Sequence, residues 1–130
     1  GWQAMHVDWT ESVSERPCPM CVVILALADF TRENGATRIV PRSHLLGKMP
    51  EGEKPGTYFP GQLELYGQAG TAFVLDGHLW HSGTLNQTAE VRHSILLTFW
   101  KRTLSDGRTM VDRAMKMPVG VESQYAWLFR

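Results

Sequence analysis

Three side chains in this sequence have the types and spacing to hold one metal ion. His6 and Asp8 are separated only by Val7, and on an extended segment residues two apart project to the same side. An imidazole and a carboxylate would then face a single ion. His81 comes from elsewhere in the fold, because it follows the apolar run Phe73-Val74-Leu75 and the turn residues Asp76-Gly77. Two histidines and one carboxylate can cap one face of an octahedral Fe(II), leaving the opposite face for a co-substrate and O₂. His78 and His93 compete with His81 for the third place.

Arg92 stands eleven residues beyond His81. Residues 82–90, Ser-Gly-Thr-Leu-Asn-Gln-Thr-Ala-Glu, are turn-forming, and a turn near Asn86-Gln87 returns the chain so that 81 and 92 sit level. The two flanking strands either pair directly or face each other across a barrel. Alternation then projects Arg92 and Ser94 to one side, where a guanidinium and a hydroxyl can grip a carboxylate. Each piece alone is weak. A His-x-Asp pair is more often surface polarity, a histidine beside Trp80 is often a core residue, and most arginines serve in structural or surface ion pairs. The joint arrangement points to an iron oxygenase.

The two cysteines, in Arg16-Pro17-Cys18-Pro19-Met20-Cys21, are half of a zinc site or a redox dithiol at most. No second Cys pair exists, and Cys21 leads into an extended run rather than a helix. The reading preferred for them is two incidental thiols at the start of a strand.

The elements that must position these groups are mostly strands. Cys21 to Asp29 reads as a strand buried on both faces, and Asn34-Gly35 as a turn into a returning strand over 36–41, making 21–41 a hairpin. Leu46 to Gly61 carries four glycines and three prolines and reads as a long surface loop of the kind that covers sites. Gln62–Tyr66, Thr71–Leu75 and Val91–Lys101 are three further strands. The last alternates, with Val91, His93, Ile95, Leu97 and Phe99 on one face and Arg92, Ser94, Leu96, Thr98 and Trp100 on the other. A short helix is expected over Asp112–Met117. Many short strands with regular turns indicate an all-β sandwich or jelly roll.

Composition sets outer bounds. The 130 residues fit a single domain spanning 1–130, with 43% hydrophobic, 10% aromatic and 20% charged residues. Thirteen basic residues balance thirteen acidic ones, so a nucleic-acid or anionic-membrane partner has no electrostatic footprint. The longest apolar run, Val22–Ala28, is too short to span a bilayer, and a cytoplasmic, reducing setting is expected.

These residues bring a family into view. Over residues 2–102 the chain resembles the phytanoyl-CoA dioxygenase-like branch of the Fe(II)/2-oxoglutarate oxygenases. The matching pieces are Trp2-Gln3-Ala4-Met5-His6-Val7-Asp8-Trp9, then Leu27-Ala28-Asp29-Phe30-Thr31-Arg32-Glu33-Asn34-Gly35 running to Val40-Pro41-Arg42-Ser43-His44. The last is Gly77-His78-Leu79-Trp80-His81-Ser82-Gly83-Thr84-Leu85-Asn86, with Arg92 beyond it. Their combination and order carry the likeness.

The resemblance implies a double-stranded β-helix, the cupin-like jelly roll, here without the family's N-terminal helices and first strand. It implies His6, Asp8 and His81 as catalytic iron ligands, and Arg92 as the partner of the distal carboxylate of 2-oxoglutarate. Gln3 would line the co-substrate pocket and Ser94 would complete the carboxylate clamp. The activity implied is hydroxylation of a small organic substrate, with O₂ consumed and 2-oxoglutarate converted to succinate and CO₂. With Asp8 present, hydroxylation is favoured over halogenation. Two features depart from the family: Arg42 stands where Gly is usual, and the His-x-Asp pair begins only six residues in. The second leaves two alternatives, a piece of a longer domain or a short variant covered by a partner copy in a homo-oligomer. Rival readings are a non-catalytic or truncated metal-binding jelly roll, and a cupin-type barrel that stacks small molecules on Trp2, Trp9, Trp80 and Trp100. Those tryptophans are expected in the core.

Overall fold

A run of seven apolar residues, Met-Cys-Val-Val-Ile-Leu-Ala, forms the central strand β1 (Met20–Ala26). Around it the chain adds β2 (Thr37–Ile39), a 3₁₀ turn (Ser43–Leu45), β3 (Leu63–Glu64), β4 (Ala72–Asp76), β5 (His81–Gly83) and β6 (Ser94–Trp100). The computed structural model describes residues 1–101 except 12, 15, 52 and 53, all but the last within a compact unit of residues 1–100. The expected helix over Asp112–Met117 lies outside the described residues.

The strands make two three-stranded antiparallel sheets, ordered β4-β1-β6 and β3-β2-β5. The mainly-β jelly-roll architecture is therefore that of the sequence reading, but its wiring differs in three places. First, β1 is not buried on both faces. Met20, Val22, Ile24 and Ala26 are buried, whereas the residues between them are half-exposed. The buried set packs with Phe30, Ala36, Leu75 and Leu79. Fully burying a side chain such as Val22 or Ile24 contributes on the order of 1.5–3 kcal/mol.

Second, residues 21–41 are not a hairpin. β1 pairs with β4 and β6, and β2 with β3 and β5, so the chain crosses between sheets at 27–36. The Asn34-Gly35 turn does form, with Gly35 at φ 81, but it delivers the chain to the other sheet. Third, β5 is a strand where the polar residues after His81 read as the start of a turn. Its pairing with β2 (Thr37↔Gly83, Arg38↔Ser82, Ile39↔His81) overrides weak local propensity.

β6 behaves as its alternation predicts. Ser94, Leu96, Thr98 and Trp100 stand opposite Ala26, Ile24, Val22 and Met20, which places them on the core side. Trp80 is buried, and Trp9 and Trp100 pack against the core, but Trp2 is 42% exposed. Trp2 instead lies over the Arg38 guanidinium, 5.2 Å from its ring centroid. Arg38 is almost wholly buried and donates to Ser82 Oγ (2.7 Å), the Thr57 carbonyl (2.6 Å) and Gln62 Oε1 (3.3 Å), tying the long loop to β5.

Candidate metal centre

The N-terminal segment is laid against β5 by a short ladder of backbone bonds. Gln3 N–H reaches the Gly83 carbonyl, His6 and His81 exchange N–H and C=O, and the N–H groups of Asp8 and Trp9 share the Gly77 carbonyl, all at 3.0 Å. Alternation does the rest. Met5 and Val7 turn inward and are buried with Trp80, so His6 and Asp8 face the other way, as the spacing predicts. The His6↔His81 pair is an antiparallel bridge, and paired residues share a face. The two imidazoles stand 4.4 Å apart between centroids.

One donor atom from each of His6, Asp8 and His81 lies within 4.8 Å of the others. The ring tautomers suit a cation. His6 Nδ1 lies 2.9 Å from the Ala4 carbonyl, and His81 Nδ1 lies 2.9 Å from the Leu79 carbonyl. A carbonyl only accepts, so each Nδ1 carries a hydrogen, and Nε2 is left as the nitrogen that a cation would take once it is deprotonated. The same two-residue step back to a carbonyl serves both histidines.

His81 Nε2 and Asp8 Oδ2 pair at 3.2 Å. The hydrogen bond from His81 holds the Asp8 carboxyl below its ordinary value, with further help from the charges of His81 and His6, against the opposing effect of burial. Burial disfavours the charged form of His81, but the Asp8 hydrogen bond, the Leu79 carbonyl and the Asp8 charge outweigh it and raise its pKa. The pair marks a place built for positive charge.

The competing histidines go elsewhere. His93 is exposed, and His78 joins a different group described below. His44 is half-buried with an unpartnered Nδ1. Gln3 is pinned to β5, its Oε1 accepting from Gly83 N–H at 2.8 Å, which leaves its amide NH₂ for another partner. Ser94 opens β6 on the core side, opposite Ala26. Arg92 lies with its Cζ 4.0 Å from the Phe30 ring centroid, and its Nε is buried without a partner. Burial lowers its pKa. β5 and β6 belong to different sheets, so of the two ways of setting 81 and 92 level, direct strand pairing is excluded.

The sequence matches the phytanoyl-CoA dioxygenase family over residues 1–94. The chain belongs to that family. Among curated relatives, the dioxygenase andF of Emericella variicolor is 35% identical over 99 residues, covering 72% of this chain and 33% of andF. The dioxygenase trt7 of Aspergillus terreus is 38% identical over 72 residues, 55% of this chain and 24% of trt7. The chain thus spans about a quarter to a third of these two relatives. Among solved structures, the non-heme monooxygenase ThoJ superposes with a TM-score of 0.60 at 25% identity, over 75% of this chain and 39% of ThoJ. The epimerase SnoN, solved with Fe³⁺, alpha-ketoglutarate and nogalamycin RO, superposes with a TM-score of 0.57 at 24% identity, over 75% of this chain and 41% of SnoN. That likeness supports the shared fold.

Arg42, in the turn Pro41-Arg42-Ser43-His44, adopts the left-handed conformation that glycine favours, φ 67 and ψ 0. Among the described residues no helix is long and apolar enough to cross a membrane. Spacing analysis missed one group: Cys18, Asp76 and His78, whose donor atoms also lie within 4.8 Å of one another. The signal was present as Asp76-Gly77-His78, the His-x-Asp pattern reversed.

Proposed function

We propose that this chain carries the metal-binding part of a non-haem Fe(II)/2-oxoglutarate dioxygenase that hydroxylates a small organic substrate and releases succinate and CO₂. The observation that carries this reading is the convergence of His6, Asp8 and His81, with both Nδ1 atoms held by carbonyls and His81 Nε2 already facing the Asp8 carboxylate. Two neutral nitrogens and one carboxylate form a donor set matched to Fe(II). When bound, iron and 2-oxoglutarate together supply the O₂ activation that breaks a substrate C–H bond.

The chain's own residues bind and orient. His6 and His81 would hold the ion through Nε2, and their Nδ1–H bonds to the Ala4 and Leu79 carbonyls keep the rings from turning. Asp8, whose carboxylate now pairs with His81, would supply the third ligand. Arg92, whose guanidinium lies over the Phe30 ring and whose buried Nε has no partner, would pair with the far carboxylate of the co-substrate. Ser94 adds a hydroxyl to that clamp, and Gln3 turns its free amide NH₂ towards the co-substrate. The substrate is a small molecule; acyl thioesters, amino acids and secondary metabolites all fit a family member of this charge.

The test is succinate release from 2-oxoglutarate with Fe(II) and ascorbate, for the wild type and for Asp8→Ala. Fe(II)-dependent succinate that disappears in Asp8→Ala is expected; equal turnover in both removes Asp8 from the site. One observation favours a second reading, a metal-binding jelly roll that does not turn over by itself. Leu96 lies on the core side of β6, opposite Ile24, yet is 64% exposed. Tight Fe(II) binding without succinate release selects that reading.

A further inference from the structure

The turn between β4 and β5 carries a second set of metal-type donors. Asp76 ends β4, His78 follows two residues later, and Cys18 precedes β1, the strand that pairs with β4. Donor atoms of the three lie within 4.8 Å of one another, and none belongs to the His6–Asp8–His81 group.

Local structure builds this set. Gly77 N–H donates to the Met20 carbonyl at 2.9 Å, docking the turn against β1. Having no side chain, Gly77 lets the Cys18 sulfur lie against its backbone; a Cβ there would sit 3.1 Å from Sγ and 3.0 Å from the Met20 carbonyl. His78 N–H donates to Asp76 Oδ1 at 2.8 Å, which closes the turn and presents the carboxylate. Burial and the nearby Asp76 charge raise the Cys18 thiol, while the backbone N–H groups of Met20, Gly77 and His78 act the other way, towards thiolate.

His78 leaves a ring nitrogen buried and unsatisfied beside Cys18 and Asp76. It is 3% exposed, and its Nε2 is buried without a hydrogen-bond partner. Leaving such a group unpaired costs about 1–3 kcal/mol, and native interiors rarely tolerate it without water or an ion. Its other ring nitrogen, Nδ1, lies 3.3 Å from Arg16 Nη1. A guanidinium only donates, so Nδ1 offers it a lone pair and the hydrogen sits on the unpartnered Nε2. A metal that takes Nε2 requires the other tautomer, in which Nδ1 carries the hydrogen and no longer accepts from Arg16.

We propose that Cys18, Asp76 and His78 form a second divalent-cation site, selective for Zn²⁺, beside the His6–Asp8–His81 centre. One thiolate, one imidazole and one carboxylate are a zinc-type set, softer than the two imidazoles and carboxylate of the first centre. The Cys18 proton leaves to solvent as the sulfur–metal bond forms, and a water completes a tetrahedron. The ion acts as a clip. It joins the segment before β1 to the turn whose Gly77 carbonyl holds the Asp8 and Trp9 backbones.

Cobalt titration tests this, because Co²⁺ bound to a thiolate shows near-ultraviolet charge-transfer absorption that a nitrogen–oxygen site lacks. The band is expected in the wild type and in Asp8→Ala, where the first centre is disabled, and Zn²⁺ should bleach it. Cys18→Ser should abolish it, His78→Gln should weaken the affinity read from it by at least ~10-fold, and Cys21→Ser should retain it. Near-ultraviolet circular dichroism of the metal-free variants checks folding, and if Cys18→Ser does not fold, His78→Gln carries the comparison. No band in Asp8→Ala at saturating cobalt overturns the proposal. So does a band that survives Cys18→Ser or His78→Gln unweakened, or one lost in Cys21→Ser.

Discussion

His6 and His81, seventy-five residues apart, exchange two backbone hydrogen bonds of 3.0 Å and bring their rings to 4.4 Å between centroids. A bridge of this kind leaves little freedom for either Nε2, so the metal meets donors already in place. Replacing His6 with Ala should cut the affinity for Fe(II) or Co²⁺ by at least ~100-fold, since losing a ligand exceeds the usual cost of losing its supporting partner. Competition with a chromogenic chelator measures this. A loss within threefold, about the scatter of such measurements, would remove His6 from the ligand set.

The Asp8–His81 pair gives the metal-free chain a pH signature. His81 is raised above 6.5, so its contribution to stability is complete below that value and is lost as pH climbs through the folded pKa. Asp8 is lowered below 3.8, so its contribution is present above that value and is lost as pH falls through the folded pKa. Between 3.8 and 6.5 both act together. Metal affinity should run the opposite way on the alkaline side, because ligation needs neutral His81 and expels its proton. Urea melts with chelator present, and calorimetry in buffers of different ionisation enthalpy, check both halves. Metal binding without proton release near 6.5 contradicts the account.

Arg92 makes a prediction that separates co-substrate from metal. Arg92→Met keeps the contact with Phe30 but removes the buried donor. Loss of a charge-assisted pair of this kind costs about 1.5–3 kcal/mol, or roughly 10–100-fold in 2-oxoglutarate affinity. Metal affinity should hold. An equal loss of both would show that Arg92 supports the fold rather than the carboxylate.

Arg42 is strained, because it holds the left-handed backbone at φ 67. A side chain in the left-handed region costs about 1–2 kcal/mol, partly offset by the extra freedom glycine brings to the unfolded chain. Arg42→Gly should therefore stabilise the protein by about 0.5–1 kcal/mol, read from the urea midpoint. Destabilisation would mean that the Arg42 side chain holds contacts worth more than its strain.

Gly35 allows no such exchange. A Cβ there would lie 2.8 Å from both Asn86 N and the Thr84 carbonyl, at a φ of 81. Both neighbours are backbone and cannot turn aside. Gly35→Ala should destabilise by about 3 kcal/mol or more, through strain and overpacking together. Thermal melts of the two proteins decide it, and an unchanged midpoint would show that the 84–86 segment can yield.

The shared face of His6 and Asp8 was legible in the sequence. Met5-His6-Val7-Asp8 alternates apolar with ligand-type residues, and alternation alone sends His6 and Asp8 to one face. The faces of β6 followed from the same rule. The reading failed where partners rather than patterns decide. β5 is three residues of His, Ser and Gly, which have little strand preference until β2 lies beside them. The supposed 21–41 hairpin had a genuine turn, but a turn does not specify which sheet its second arm joins. Cys18 drew attention through Cys21, two residues beyond Pro19, whereas its neighbours in space are Asp76 and His78.

Spacing and residue type were enough to nominate the donors and the β-rich class, because a strand's two-residue period is a local property of the backbone. Bringing His81 beside His6 and Asp8, and gathering Cys18 with the turn after β4, required contacts between segments some sixty to seventy-five positions apart. Such contacts arise only when the two sheets close on a shared core, and no local pattern encodes them.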